Sequence, residues 1–163
     1  MPLTPFHLGP GLLLTVGAGT SFTAFLVVNV VIDIESGYHL ATGAYPVHTF
    51  LHTTLGATIV ALVTIAGLAA VERWRRRRRP HNTDGTLRAS TSDAAIAGGA
   101  LAGAWSHVIL DGVMHDDARP LAPWSDGNPL HDAISLTALH AICVACAIAG
   151  IAVFLFRRGR IRG

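Results

Sequence analysis

The sequence predicts an all-α integral membrane protein, a small helical bundle, on three observations. Apolar residues make up 51% of the 163-residue chain and charged residues only 13%, with a mean hydropathy of +0.48. Disordered chains and typical soluble domains carry more charge. Four segments, about 8–33, 48–73, 93–115 and 133–156, each contain an uncharged stretch that approaches the roughly 20 apolar residues of a spanning helix. The length leaves room for a single membrane domain, residues 1–163.

The first segment contains a cluster of turn-forming residues, Gly17–Ser21, at its middle. It either crosses once as a continuous first span or folds back as a helical hairpin. We favour the hairpin because two glycines in three residues cost a continuous helix about 1 kcal/mol each. Its halves, 11–16 and 22–32, are expected to be too short to cross alone, and Ser36-Gly37 is expected to end the second half.

Arginines mark the ends of the second and fourth segments. All 12 basic residues are arginine, and half of them lie between Arg73 and Arg79. The positive-inside bias predicts that the Arg-rich loop 73–92 and the C-terminus are cytoplasmic, in a multi-pass protein of a bacterial-type plasma membrane. This retention role explains the arginine run, so no nucleic-acid partner is expected, and membrane lipids are the expected surroundings.

Histidine and aspartate residues gather at the segment ends opposite the arginines. His48 and His52 are four residues apart, as are His107, Asp111 and His115. Residues at this spacing share a helix face, where imidazole and carboxylate groups can chelate one metal ion. Ionisable residues beside membrane spans are costly and by default suggest a functional site.

Asn29 and Asp33 repeat the four-residue spacing at the end of the first segment, with Glu35 just beyond. Three segment ends therefore deliver nitrogen and oxygen ligands to one membrane face. The candidate metal ligands from this pattern are Asp33, His48, His52, His107, Asp111 and His115. Their number exceeds the four ligands of a tetrahedral site, which favours two ions about 3.5 to 4 Å apart.

This ligand set suits a divalent metal, with zinc first and manganese or iron as alternatives. Cys143 and Cys146 lie in an apolar run and are not a structural zinc pair. Glu35 and Asp117 are candidate catalytic residues, each acting either as general base or by orienting a histidine. Arg119 is either a hook for an anionic substrate group or the partner of a salt bridge to a neighbouring aspartate.

The ordered motifs resemble the YdjM/DUF457 group of membrane-bound, metal-dependent hydrolases across nearly the whole chain. The resemblance rests on Thr4–Gly11, Asn29–Glu35, His48–Thr53, Trp105–Asp111, His115–Asp117, Arg119-Pro120 and Asn128-Pro129. It implies a metal set that adds His7 to Asp33, His48, His52, His107 and Asp111. If His7 belongs to the site, the first segment must return to the face it left, which requires the hairpin. The HxxxD element is also similar to one in zinc-dependent phospholipases C.

The expected function is hydrolysis of a phosphoester or other ester of a lipid-like or membrane-proximal substrate at the non-cytoplasmic face. A phosphoester is preferred because Arg119 and a two-metal clamp both suit phosphoryl charge. The alternative is a non-catalytic metal- or haem-binding membrane protein, such as a carrier, sensor or electron-transfer subunit. In the haem version His107 and His140 would be the axial pair. The oligomeric state is not predicted.

Overall fold

The computed structural model describes residues 5–78 and 91–162, which form five α-helices and no strand. The helices are α1 Pro5–Ala18, α2 Phe22–Thr42, α3 Thr54–Arg78, α4 Asp93–Met114 and α5 Leu136–Arg162, with a short 3-10 turn at Phe50–His52. By length and composition, α2, α3, α4 and α5 can each cross a membrane. The predicted all-α membrane bundle is confirmed.

The N-terminal segment is a helical hairpin, so the continuous first span is excluded. Gly19 takes the left-handed conformation at φ 69° between α1 and α2, which glycine adopts at little cost. Ser21 then caps α2 by accepting a hydrogen bond from the N–H of Ala24 at 3.2 Å. At 14 residues, α1 is shorter than the roughly 20 residues that a spanning helix needs, as expected for the first half of the hairpin.

Two expectations about the second half of the hairpin are wrong. Ser36-Gly37 does not end α2, which continues to Thr42 and closes with Gly43 in the left-handed conformation at φ 69°. The Ser36 hydroxyl donates to the carbonyl of Asp33 at 3.1 Å, which satisfies it within the helix. With 21 residues, α2 is about 30 Å long and long enough to span.

Small residues let α2, α3 and α4 pack closely into the main core. Ala24, Ala57 and Ala100 are fully buried, one on each of these helices. A side chain at Gly99 would lie 2.1 Å from the carbonyl oxygen of Ser21. The backbones of α2 and α4 therefore approach at a distance that only glycine allows, a packing typical of membrane helices.

The remaining helices, α1 and α5, pack against each other beside this core. A side chain at Gly9 of α1 would lie 2.1 Å from the carbonyl oxygen of Cys143 of α5. Much of the other surface of α5 is apolar and exposed, as at Ile148 and Leu155. A lipid-facing surface is the expected environment for such a helix.

One end of the bundle collects the arginines, and we call it the Arg-rich end. Arg76 of α3 donates to the carbonyl of Thr91 at 3.0 Å, and Arg157 of α5 donates to the carbonyls of Val16 and Gly17. The hairpin tip, the end of α3 and the end of α5 therefore lie together. Of the predicted loop 73–92, residues 73–78 belong to α3 instead, and residues 79–90 lie outside the described residues.

The hairpin makes a prediction about membrane sidedness. The start of α1 lies at the end of the bundle opposite the arginines, because the tip of the hairpin lies with them. Reporters fused to the N-terminus and inserted in residues 79–90 are therefore expected on opposite sides, with the inserted reporter cytoplasmic. Accessibility labelling in intact cells measures this, and finding both reporters on one side would contradict it.

Candidate metal centre

Three elements bring four metal-binding side chains together at the end of the bundle opposite the arginines. Asp33 comes from α2, His107 and Asp111 from α4, and His52 from the 3-10 turn before α3. One ligand atom of each lies within 4.8 Å of all the others. We call this group the inner cluster, and it could hold a metal ion.

The two histidines of the inner cluster direct their Nε2 atoms towards carboxylates. His107 Nε2 lies 3.0 Å from Asp111 Oδ2 and 3.4 Å from Asp33 Oδ1. His52 Nε2 lies 3.4 Å from Asp111 Oδ2. Both nitrogens are buried, and neither makes a hydrogen bond of good geometry among the described residues. Buried imidazole nitrogens are normally satisfied, and a cation shared with the carboxylates would satisfy both.

Asn29 sets the tautomer of His107. The amide nitrogen of Asn29 donates to the carbonyl of Phe25 at 2.8 Å, which identifies its other atom, Oδ1, as the acceptor facing His107 Nδ1 at 2.9 Å. His107 Nδ1 must therefore carry a proton. In the neutral imidazole the Nε2 lone pair then points into the inner cluster, as metal ligation requires. Asn29 was not in the predicted ligand set, and its spacing from Asp33 was the only signal for it.

Glu35 holds His52 in the same way. Glu35 Oε2 accepts the backbone N–H of Leu51 at 2.8 Å and lies 3.4 Å from His52 Nδ1. The carboxylate thus ties α2 to the 3-10 turn and leaves His52 Nε2 facing the inner cluster. Of the two roles considered for Glu35, this geometry favours orientation of a histidine.

His7 reaches the inner cluster from α1, as the hairpin requires. Its ring stacks on that of His107 with centroids 4.4 Å apart, and its Nε2 lies 3.2 Å from Asp111 Oδ1. His7 is 3% exposed, and both ring nitrogens lack a hydrogen-bond partner among the described residues. His7 therefore completes a wall of the inner cluster.

A second group, which we call the outer cluster, consists of His48, His115 and Asp117. One ligand atom of each lies within 4.8 Å of the others, so this group could also hold a metal ion. The rings of His48 and His115 stack with centroids 4.0 Å apart. The His48 ring lies 4.8 Å from that of His52, so the two clusters are neighbours.

The predicted helix-face pairing of these histidines is wrong in two places. His48 and His52 precede α3, which begins at Thr54, and lie in the loop and the 3-10 turn. His115 follows the end of α4 in an extended conformation, so it turns away from His107 and Asp111. The spacing therefore holds as a helix face for His107 and Asp111 on α4, and for Asn29 and Asp33 on α2.

Asp117 organises the outer cluster. Its Oδ1 accepts from His48 Nδ1 at 2.7 Å, and its Oδ2 accepts the backbone N–H groups of Val47 at 2.7 Å and His48 at 3.1 Å. Burial raises the pKa of Asp117, but these hydrogen bonds outweigh burial and lower it below its usual value. Asp117 is therefore ionised at neutral pH and orients His48.

The surroundings of His115 favour its neutral form. Burial lowers its pKa and the neighbouring His48 lowers it further, which outweighs the opposite effect of Asp111 and Asp117. A neutral imidazole keeps a lone pair for a metal ion. His115 and Asp117 also line a cavity of about 340 Å³ together with His48 and Asp116, so the outer cluster faces open space.

Of the two alternatives considered for Arg119, the salt bridge to a neighbouring aspartate is not formed. Its Nη1 donates to the backbone carbonyls of Asp116 at 2.5 Å and Ala118 at 2.9 Å, and no ion pair of Arg119 occurs among the described residues. These bonds hold the arginine against the loop after α4. Hydrogen bonds from Nε and Nη2 of Arg119 are not found within the described ranges.

No family model, no curated protein and no solved structure matches this chain. The resemblance to the YdjM/DUF457 group therefore stays a prediction from the motifs.

Proposed function

We propose that the protein is a membrane-embedded, metal-dependent hydrolase acting on a phosphoester or other ester of a lipid or membrane-proximal substrate. One observation carries the proposal: the inner cluster buries two imidazole nitrogens, His52 Nε2 and His107 Nε2, against the carboxylate of Asp111, without a hydrogen bond of good geometry among the described residues. A cation shared by these nitrogens and the carboxylates would satisfy both sets of groups at once.

The donor set matches a zinc-type ion, with manganese or iron as alternatives. Asp33, His52, His107 and Asp111 would hold one ion, with His7 beside them. His48, His115 and Asp117 would hold a second ion in the outer cluster. Such ions supply Lewis-acid activation of water and of the ester oxygen.

The protein's own groups supply the rest of the chemistry. Asn29, Glu35 and Asp117 each accept a hydrogen bond from, or lie against, an imidazole Nδ1 and so keep the opposite nitrogens aimed inwards. Asp116 is exposed and lines the cavity at the outer cluster, a place suited to a general base. Arg119 would bind the anionic group of the substrate.

The non-catalytic alternative is less well supported by the geometry. An axial haem role for His107 would use the Nε2 that lies 3.0 Å from Asp111, and the His140 ring packs on Phe6 at 4.2 Å. A closed storage or sensing site would not need the outer cluster to line a cavity. We therefore place hydrolysis first.

The test compares metal content and hydrolysis in detergent-purified protein. Elemental analysis is expected to find about two zinc, manganese or iron ions per chain. A His48→Ala/His115→Ala double variant is expected to lose one ion and the hydrolysis of a panel of lipid phosphoesters and carboxylic esters. His131→Ala serves as the matched control, because His131 is exposed and lies at the same end of the bundle as the two clusters.

Two results would contradict the proposal. The first is well-folded wild-type protein that holds no metal after purification without chelators and binds none on addition of zinc. The second is hydrolysis that survives unchanged in the double variant. Metal content of two ions with no hydrolysis of any ester in the panel would move the assignment to the non-catalytic alternative.

A further inference from the structure

A cavity beside the outer cluster differs from it in chemistry, and we call it the apolar groove. It has a volume of about 290 Å³, and its wall includes Phe50, Leu55, Ala122 and Pro123 together with His48 and Arg119. It lies between the loop before α3, the first turn of α3 and the loop after α4. The apolar groove is therefore built from the same loops that carry the metal-binding residues.

The apolar groove offers a ligand little hydrogen bonding besides its two ionisable residues. The hydroxyl of Thr53, which also lines it, donates to the carbonyl of Phe50 at 2.8 Å and accepts the N–H of Gly56 at 2.9 Å. Thr49, the other threonine of the wall, hydrogen-bonds to the carboxylate of Glu35. Both hydroxyls are thus committed within the protein. The aliphatic, proline and aromatic groups of the wall suit a hydrocarbon.

His48 contributes to the walls of both cavities. It lines the apolar groove and also the cavity of about 340 Å³ that contains His115, Asp116 and Asp117. A ligand that extends from one cavity to the other across His48 would have one part in the apolar groove and its other part next to the metal-binding and acidic side chains. An amphiphile has this division, and neither a free sugar nor a free phosphate has it.

The surroundings are also those of a membrane interface. Tyr45 and Trp124, which adjoin lining residues in the sequence, are 75% and 76% exposed. Tyrosine and tryptophan are enriched at the level of lipid headgroups. These two aromatic residues therefore favour a position of the apolar groove near the level of the lipid headgroups.

We propose that the apolar groove binds the single hydrocarbon chain of an ester or phosphoester amphiphile, with the polar group of that substrate at His48 beside the outer cluster. This inference rests on the proposed hydrolase function and specifies its substrate class. The apolar groove has a volume of about 290 Å³, at the low end of the range of small-molecule sites, about 300 to 1,000 Å³. This volume favours one hydrocarbon chain over two.

The test uses a dodecylphosphonate that carries a diazirine near the end of its chain. Its carbon–phosphorus bond is not cleaved by an esterase, so labelling does not depend on turnover. Light-induced cross-links are expected in peptides containing residues 46–55 and 119–123, and excess dodecylphosphonate but not methylphosphonate should compete. Each buried methylene changes affinity about fourfold.

Two variants fill the apolar groove from different elements, Leu55→Trp from α3 and Ala122→Trp from the loop after α4. Each is expected to reduce the labelling of these peptides by about tenfold or more, because the indole ring would displace several methylene groups of the probe from the apolar groove. Leu121→Trp is the matched control, because Leu121 is exposed and adjacent to Ala122 but does not line the apolar groove. Thermal unfolding reports whether each variant is folded, whatever its metal content.

The outcomes separate this inference from the hydrolase proposal. Labelling spread over the exposed faces of α3 and α5, with equal yield in all variants, would overturn the chain site. Hydrolysis with the same chain-length preference in wild type and in both groove variants would also overturn it, while leaving the hydrolase proposal intact. Specific labelling of the apolar groove in a protein that cleaves no ester would support the chain site and count against hydrolysis.

Discussion

Replacing Asp111 with asparagine is expected to abolish metal binding at the inner cluster and, with it, hydrolysis. Asp111 lies within 3.4 Å of Nε2 atoms on three histidines, His7, His52 and His107. A neutral amide keeps the size of the side chain but loses the charge that those nitrogens face. Since altering residues that only orient ligands costs about 10- to 100-fold in metal affinity, loss of this central carboxylate should exceed that range.

The measurement is metal content by elemental analysis together with thermal unfolding, with and without added zinc. Wild-type protein is expected to gain about 2.7 kcal/mol at a free metal concentration 100 times Kd, whereas Asp111→Asn should gain little. Asp126→Asn, an exposed loop aspartate, should behave like wild type. A variant at Asp111 that retained both its metal and the zinc-dependent stabilisation would show that this carboxylate is not a ligand.

Replacing Gly56 with alanine is expected to destabilise the protein and displace His52. An alanine side chain there would lie 1.9 Å from the carbonyl oxygen of Phe50 and 3.0 Å from Cα of Leu51. Those contacts are backbone, so the 3-10 turn Phe50–His52 must move. Overpacking of this kind costs about 1 to 3 kcal/mol, and the shifted turn would no longer hold His52 Nε2 in the inner cluster.

Gly67→Ala is the matched control on the same helix. A side chain at Gly67 would meet no described atom within 4 Å, so this change is expected to be neutral or stabilising by up to about 1 kcal/mol. Denaturation curves and metal content of the two variants test the contrast. Equal stability and equal metal content in both would mean that the 3-10 turn is not held against α3 as described.

Part of the candidate site could be predicted from spacing. His107 and Asp111 are one turn apart on α4, and helical geometry alone brings their side chains together, with His107 Nε2 3.0 Å from Asp111 Oδ2. The same rule failed for His48 and His52, because the chain there has not yet entered α3. An apolar run shows where a helix passes through the membrane more clearly than where its first turn begins.

The division of the predicted ligands into two clusters could not be predicted. His115 continues the four-residue spacing from Asp111, but α4 ends at Met114 and the chain turns outwards. Asp117 then bonds to His48, 69 residues away. Such a pairing depends on where the loops before α3 and after α4 meet.

The sequence by itself determined the three long apolar helices α3, α4 and α5, the break between α1 and α2, and the separation of arginines from histidines along the chain, but not the length of α2. These are local properties, set by residue hydropathy, by glycine and by charge within one segment. Tertiary structure alone decided which imidazole nitrogens face a carboxylate and which face Asn29, Glu35 or Asp117. The close approach of α2 and α4 at Gly99 fixes the position of one helix along the other. Contacts of this kind join distant segments, so neither segment taken alone predicts them.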